Sequence, residues 1–391
     1  MGKEIKFLGV TWRKGSVELK QSSTPSSNGK KRSAKDVIRR IPKREVSFQI
    51  ADIKVALQMA KNVDTPDRSK LLQICEYIMK DSHLKSQLRL AKIKVLSEPW
   101  QLYKDDTPNE AATKDFSKRW FNTVLEYILE SEFYGFTLIE MDKIDPANFA
   151  IGEVLNFPRE YVSIEKQWIL IEGTINGSYL DYSQIMQDID LLEFGRRDDF
   201  GILLECAYNV IYKFYSRADW SRASEKFGMP ILVIEADTNN DTEIDNLENR
   251  AANFGSDGYI VVQNGDKASI VERTGQRMHD IYLDCIKLCN EEVSKVVNGQ
   301  TGSSDPKAFV GAAEVQERTM DDFTLARLQN IVDEVNEKFL PYLRLKGFSL
   351  DENLRLDYPA LIAERKKKIE GKQTPTDPKQ VTADPKKEET K

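Results

Sequence analysis

Few residues in this sequence are of a type and spacing that could do chemistry. Histidine occurs only at His83 and His279, and neither stands where an imidazole would pair with a nucleophile or an orienting acid. Cys285 and Cys289 lie four apart on one helical face, with His279 less than two turns before them. A tetrahedral zinc site needs four donors in a recognisable spacing, and no second pair exists, so both thiols read as core packing. The segment 237–248, D-T-N-N-D-T-E-I-D-N-L-E, sets Asp237, Asn239, Asp241, Asp245 and Glu248 at calcium-loop positions. Thr242, however, stands where the sharp turn wants glycine, and a strand-like run precedes the segment where an entering helix is required. The same residues make a good helix start, with capping Asn, Asp and Thr followed by acids near the positive helix end. Carboxylate pairs such as Asp321-Asp322 and Glu291-Glu292 look like solvated helix faces, and nothing selects one as an acid/base couple. Neither G-x-x-x-x-G-K-[ST] nor G-x-G-x-x-G occurs, so the phosphate cradle of a nucleotide-driven motor is missing. No catalytic residue, no metal and no cofactor is expected, and the chain reads as a non-enzyme.

Composition points the same way. The 391 residues are enough for two or more modules around a large core, and 40% hydrophobic with 31% charged content fits a soluble protein. No run approaches eighteen apolar residues, so no membrane span is expected. The N-terminal stretch is charged and lacks the apolar segment of a secretory signal. Four scattered cysteines fit a reducing compartment, which implies the cytoplasm or a particle assembled there. Net charge is −6, but residues 1–44 hold thirteen Lys/Arg against three Asp/Glu, which leaves about −16 for the rest. Such a body should not grip phosphates tightly. The basic arm could touch nucleic acid or an acidic neighbour, or be a solvated, disordered tail.

The elements that would position these residues alternate between helical and strand periodicity. Helical spacing appears at Val55, Met59 and Val63, then at Leu71, Leu72, Cys75, Ile78 and Met79, with Asp64-Thr65-Pro66 between. Residues 86–95 read as an irregular strand or a short helix. Residues 116–130 form an apolar-periodic helix ending near Tyr134-Gly135, and 136–141 a strand apolar on both faces until Glu140. Residues 150–194 are strand-rich, with a hairpin signal at Asn176-Gly177. A helix over 202–227 is followed by a strand at 231–235, a helix over 241–252 and a hairpin around Asn264-Gly265. Two long helices close the pattern. One over 276–297 would span about 33 Å, with Met278, Ile281, Tyr282, Cys285, Cys289, Val293 and Val296 on its apolar stripe. The other runs from Gly311 to Leu340, stopped by Pro341, about 45 Å if unbroken. Helices this long need partners for their stripes, from the same chain folding back or from a ring of neighbours. From Glu364 onward the Lys, Glu, Thr and Pro content reads as a disordered tail.

In this order the pieces resemble the phage Mu-like portal family. KIKVLSEPW (92–100) resembles its segment ending in Pro-Trp, EFYGFTLIE (132–140) its Gly-x-x-x-x-Glu strand, and Phe157-Pro158-Arg159 its Pro-Arg element. DWSRASEKFGMP (219–230) is similar to its D-W-x-x-F-x-E-x-F-G-x-P signature, keeping Glu225 but with Ala223 where Phe is usual. NEEVSKVVNGQT (290–301) resembles its N-x-x-I-S-K-x-I-L-G-Q-T segment, with Asn298 where Leu is usual and the following T-T lost.

The resemblance implies an α+β portal-type subunit of a ring, commonly of twelve copies, that conducts double-stranded DNA into and out of a capsid without sequence specificity. It implies a basic, largely disordered arm (1–50) and a wing (51–201). Paired stem helices (202–229 and 274–298) would flank a small α/β clip (230–273). A tunnel loop (299–310) would precede a long wing helix with a crown-proximal segment (311–363), and a disordered tail (364–391) would close the chain. Gln300, Gly302, Ser303, Ser304, Asp305 and Lys307 would face the DNA. Asp237, Asn239, Asp241, Glu243, Asn246 and Asn249 would lie on the clip that meets terminase and later the neck and head-completion proteins. The major capsid protein is the further implied partner, and the virion vertex, assembled in the host bacterial cytoplasm, the implied location. An acidic body agrees with this, because a basic tunnel would trap phosphates. The alternative is another structural virion protein or a DNA-binding protein.

Overall fold

Helices and small antiparallel sheets alternate along the chain in a computed structural model that describes residues 5–7, 10–13, 16–19, 47–173, 175, 177–183, 190–227, 231–235, 267–271, 276–301 and 310–373. Strands β1 (Ile5–Phe7), β2 (Val10–Arg13) and β3 (Ser16–Leu19) form an antiparallel meander. Residues 5–7, 10–13 and 16–19 of the arm therefore have regular backbone, which the short alternating runs separated by Gly9 and Gly15 favour, while the polar stretch that carries the expectation of disorder, within 20–46, lies outside the described residues.

Three helices follow. Helix α1 (Ile50–Ala60) opens with Asp52 accepting from the Gln49 backbone N–H at 2.8 Å, a reciprocal cap. It buries Ile53, Ala56 and Ala60, not the expected Val55 and Met59, and Val63 lies beyond its end at 88% exposure. The stripe of largest apolar residues misled here, because small alanines are what bring the next helix close. That helix, α2 (Ser69–Ile78), buries Leu71, Leu72, Ile74, Cys75 and Ile78. The segment that could have been strand or helix is helix α3 (Ser82–Ser97), with Leu84, Leu88, Ala91 and Val95 buried at helical spacing.

Strands β4 (Gln101–Lys104) and β5 (Thr107–Pro108) lead to helices α4 (Glu110–Phe116) and α5 (Arg119–Tyr134). Gly135 ends α5 in the left-handed region at φ 85°. The strand-rich stretch then forms as expected: β6 (Phe136–Asp145), β7 (Ala150–Asn156), β8 (Val162–Ser163), β9 (Trp168–Leu170), β10 (Tyr179–Asp181) and β11 (Leu191–Gly195). β6 is the centre of the β11-β6-β7 sheet and is covered on both faces. Ile139 and Met141 point into the main core, while Phe136 and Leu138 point into a second one with Phe157, Ile164, Ile169 and Tyr182. β9 and β10 pair antiparallel, as the Asn176-Gly177 signal requires, although Asn176 lies outside the described residues.

The long elements complete the chain. Helix α6 (Ile202–Phe227) has the expected bounds. β12 (Ile231–Glu235) pairs antiparallel with β13 (Lys267–Val271), and the expected helix at 241–252 and strand at 258–263 lie outside the described residues. Helix α7 (Gln276–Asn298) returns along α6. Helix α8 (Val310–Glu334) continues through a π-helical turn, Val335–Phe339, into α9 (Leu340–Leu345). Pro341 therefore does not stop the helix. It sits in the first turn of α9, where no intrahelical N–H bond is needed, and the widened turn before it absorbs the ring. β14 (Leu354–Asp357) pairs with β4, and α10 (Pro359–Gln373) extends past Glu364. The Lys- and Glu-rich composition taken for disorder is equally that of a solvated helix; residues 374–391 lie outside the described ones.

Three glycines with positive φ meet where α5 turns into β6 and β11 hands over to α6. A Cβ on Gly135 would lie 2.4 Å from the Asp199 carbonyl oxygen, on Gly195 2.5 Å from the Gly135 oxygen, and on Gly201 2.4 Å from the Phe133 oxygen. Backbone packs on backbone at this corner, and α6 leaves from it.

Candidate functional site

The sequence points to the connection after α7, and the structure builds its root from side chains of four elements. Cys289, Val293 and Val297 bury one face of α7, and the helix ends at Gly299 with φ 71°, where a Cβ would lie 2.5 Å from the Phe323 ring. Asn298, 1% exposed, donates through Nδ2 to the Gln87 backbone oxygen at 3.2 Å and to Gln87 Oε1 at 2.8 Å. Arg327 of α8 donates Nη2 to the Val297 carbonyl at 2.6 Å and Nε to Glu132 of α5 at 2.9 Å. A guanidinium on one of the last, otherwise orphaned carbonyls also suits the negative end of the helix dipole. Burial pushes the Glu132 carboxyl above the usual range, and the opposing pull of Arg327 does not offset it.

Gln300 must be corrected. Its side chain is buried, with Nε2 3.5 Å from Met320 Sδ, so it fastens the loop's start to α8 instead of facing outward. Gly302, Ser303, Ser304, Asp305 and Lys307 lie outside the described residues, as do Asp237, Asn239, Asp241, Glu243, Asn246 and Asn249, together with the whole calcium-loop-like segment.

A second fastening joins α3 to the α6/α7 pair. Asp81 caps α3 by accepting from Leu84 N at 2.8 Å and pairs with Lys213 of α6 at 2.7 Å, both side chains buried. His83 Nε2 lies 3.0 Å from the Asn290 carbonyl oxygen and 2.8 Å from Ser294 Oγ. A carbonyl only accepts, so Nε2 carries the proton in the neutral ring. Burial, with Lys213 adding to it, pushes the His83 pKa down against the Asn290 carbonyl and Asp81. Beside these groups Cys285 meets Ser216 Oγ at 3.0 Å, and burial with Cys285 next to it pushes the Cys289 thiol up to about 11. Burial also raises Cys75 and Cys206 to about 12. These are packed thiols, not nucleophiles. Among the described residues no group of three His, Cys, Asp or Glu side chains could hold a metal, and the His279 side chain lies outside them.

The Pro-Trp and Pro-Arg segments are also fasteners. Trp100 of the Pro-Trp segment packs edge-on against Phe121 at 4.9 Å. Arg159 of the Pro-Arg element donates to Glu130 at 2.9 Å and to Thr137 Oγ1 at 3.0 Å, and lies over the Tyr134 ring. Burial pushes the Glu130 carboxyl up, but Lys92 at 2.6 Å and Arg159 outweigh it and hold it below the usual range. Buried Arg68 pairs with Glu165 at 2.5 Å and donates to the Asp199 carbonyl at 2.6 Å just before α6. Sequence reasoning missed Arg68, Asp81, Lys213 and Arg327. For Lys213 and Arg327 the signal was a lone charge inside an apolar run, V-I-Y-K-F and L-A-R-L; Arg68 and Asp81 stand in polar stretches and carried no such signal. What the arrangement can do is positional: it holds the α6/α7 pair and the root of the loop against the body.

No curated protein matches the chain. Among solved structures, a chain of the virion of a native gene transfer agent particle shares the fold at TM-score 0.50 and 11% identity, over 83% of this chain and 94% of that one. An HK97-family phage portal protein from Corynebacterium diphtheriae aligns at TM-score 0.44 and 13% identity, over 73% and 95%. A chain from the neck of an empty gene transfer agent particle aligns at 0.46 and 11%, over 81% and 87%. The family described as the portal protein of Mu bacteriophage matches residues 72–383, most of the sequence. This chain therefore belongs to that portal family and is a subunit of the portal ring at the capsid vertex.

Proposed function

We propose that the subunit conducts double-stranded DNA during packaging and ejection through a ring, of twelve copies in this reading, with its parts divided as the sequence implied. Residues 51–201 form the wing, α6 and α7 the stem, 230–273 the clip, 299–310 the tunnel loop and 311–363 the returning wing helix with the crown-proximal segment. The observation that carries this is the α6/α7 pair: two helices packed along one another, joined beyond their ends by the β12/β13 ladder, and followed by a loop whose root is fastened on both sides. Such a hairpin projects a small unit away from the body while keeping its base rigid.

In this reading the DNA-facing set is Gly302, Ser303, Ser304, Asp305 and Lys307, and Gln300 leaves it because it is buried. Short polar side chains give weak phosphate contact and no base readout, which lets the duplex pass in either direction. Asp237, Asn239, Asp241, Glu243, Asn246 and Asn249 meet terminase during packaging and the neck and head-completion proteins afterwards. The wing meets the major capsid protein, and the ring assembles in the host bacterial cytoplasm before it becomes part of the virion. The subunit carries no catalytic step of its own.

Deleting residues 237–249 tests the partition. Rings should form as in the wild type while packaged DNA per particle falls to background; packaging at the wild-type level would overturn the clip assignment.

A further inference from the structure

Two exposed helix stripes lack cover in the single subunit, and they are opposite in charge. On α7, Ile281 and Leu288 are 65% and 57% exposed, and the exposed acids Asp284 and Glu291 follow them at helical spacing. On α3, Lys85, Arg89, Ile93 and Leu96 succeed one another along one exposed face, with Ile93 at 55% and Leu96 at 39%. One stripe is apolar and acidic, the other apolar and basic. Lys287 and Lys295 also stand on the outer side of α7, 3.5 Å from Asp284 and 2.7 Å from Glu292. These are exposed pairs along one helix, worth little, so Asp284 is free to exchange Lys287 for a cation of a neighbour, and Glu291 has no such pair among the described residues. Lys85 and Arg89 make no ion pair among the described residues.

These stripes cannot meet within one chain. α3 and α7 already face each other through His83, Gln87, Asn290, Ser294 and Asn298, which turns the two stripes away from that contact. A closed ring needs two different, complementary surfaces on every copy, because its contacts run head to tail. Exposed apolar side chains flanked by unlike charges are suited to such a contact, the apolar area supplying affinity and the charges the register.

We propose that in the ring the basic stripe of α3 in one copy lies against the acidic stripe of α7 in the next. This rests on ring assembly and specifies which faces close it. The chain then uses α3 twice, its inner face fastening the stem of its own subunit and its outer face holding the stem of the neighbour.

Sedimentation velocity of the full chain at low micromolar concentration tests the contact with two charge-reversed variants, Lys85→Glu with Arg89→Glu, and Asp284→Lys with Glu291→Lys. All four positions are exposed, so each variant should melt with the wild type by circular dichroism. Each variant alone should lose the ring species. The fourfold variant should regain it, and so should a one-to-one mixture of the two double variants, whose faces are complementary only in alternation. Rings formed by each double variant as readily as by the wild type would overturn this contact and leave the ring reading standing. Loss of rings that neither the fourfold variant nor the mixture restores would also overturn it. A wild-type chain that stays monomeric would overturn ring assembly itself, and this contact with it.

Discussion

Arg327 shows how much one buried side chain holds at the residue scale. Its guanidinium closes the C-terminus of α7 and neutralises Glu132, whose carboxyl burial already pushes upward. Arg327→Met removes both contacts and should cost about 3 kcal/mol by urea denaturation, because a buried carboxylate is left alone. That deficit should narrow from about pH 8 to about pH 5, since Glu132 can take up a proton in the variant. A deficit independent of pH would show that Glu132 is not the charge left behind. His83 supplies a second pH dependence. Its folded pKa lies below the unfolded value of about 6.5, so its contribution is full above that value and is lost as pH falls through the folded one. The groups around the ring are Lys213 and Asp81, with the Asn290 carbonyl and Ser294. His83→Gln should flatten the slope of stability against pH in that window, measured by melting temperature.

At the scale of elements, the π-helical turn does more than admit Pro341. It sets Asn336 against β14, where Nδ2 donates to the Leu356 oxygen at 3.0 Å and Oδ1 accepts from Leu356 N at 2.7 Å. The side-chain amide thus acts as a short strand partner, and it ties α8 to the sheet made by β4, β5 and β14. Asn336→Ala leaves two backbone groups without partners and should cost about 1–3 kcal/mol, read as a lower urea midpoint with unchanged slope. A steeper or shallower slope would mean that β14 detaches separately. The α6/α7 pair is held at its base both by apolar side chains, with Leu203, Ala207, Val210, Ile211, Val293 and Val297 in the main core, and by the Asp81–Lys213 pair and the Asn298 and Arg327 hydrogen bonds.

Across the whole molecule, charge is separated along the chain: a basic arm at one end, an acidic body, and small polar residues at the proposed tunnel. In the proposed function a conduit must release what it admits, and an acidic body meets that need better than a basic one, which would hold phosphates tightly. The deletion of 237–249 and the charge exchange between α3 and α7 are the two tests at this scale, because packaging and ring closure belong to the assembly and not to the subunit.

By itself the sequence determined the long helices, the double-sided strand β6 and the family, since period, caps and ordered segments are local properties of the chain. α6 and α7 have the bounds read from the sequence almost to the residue. It did not determine which face of α1 is buried, that Pro341 sits inside a continuing helix, or that residues beyond Glu364 are helical. Those outcomes depend on what packs opposite. Only the tertiary structure brought Gln87, Arg327, Asp81 and Lys213 to the base of the α6/α7 pair, from helices far apart in the chain. It also turned Gln300 inward. Burial is a property of neighbours in space, and no spacing along one chain records it.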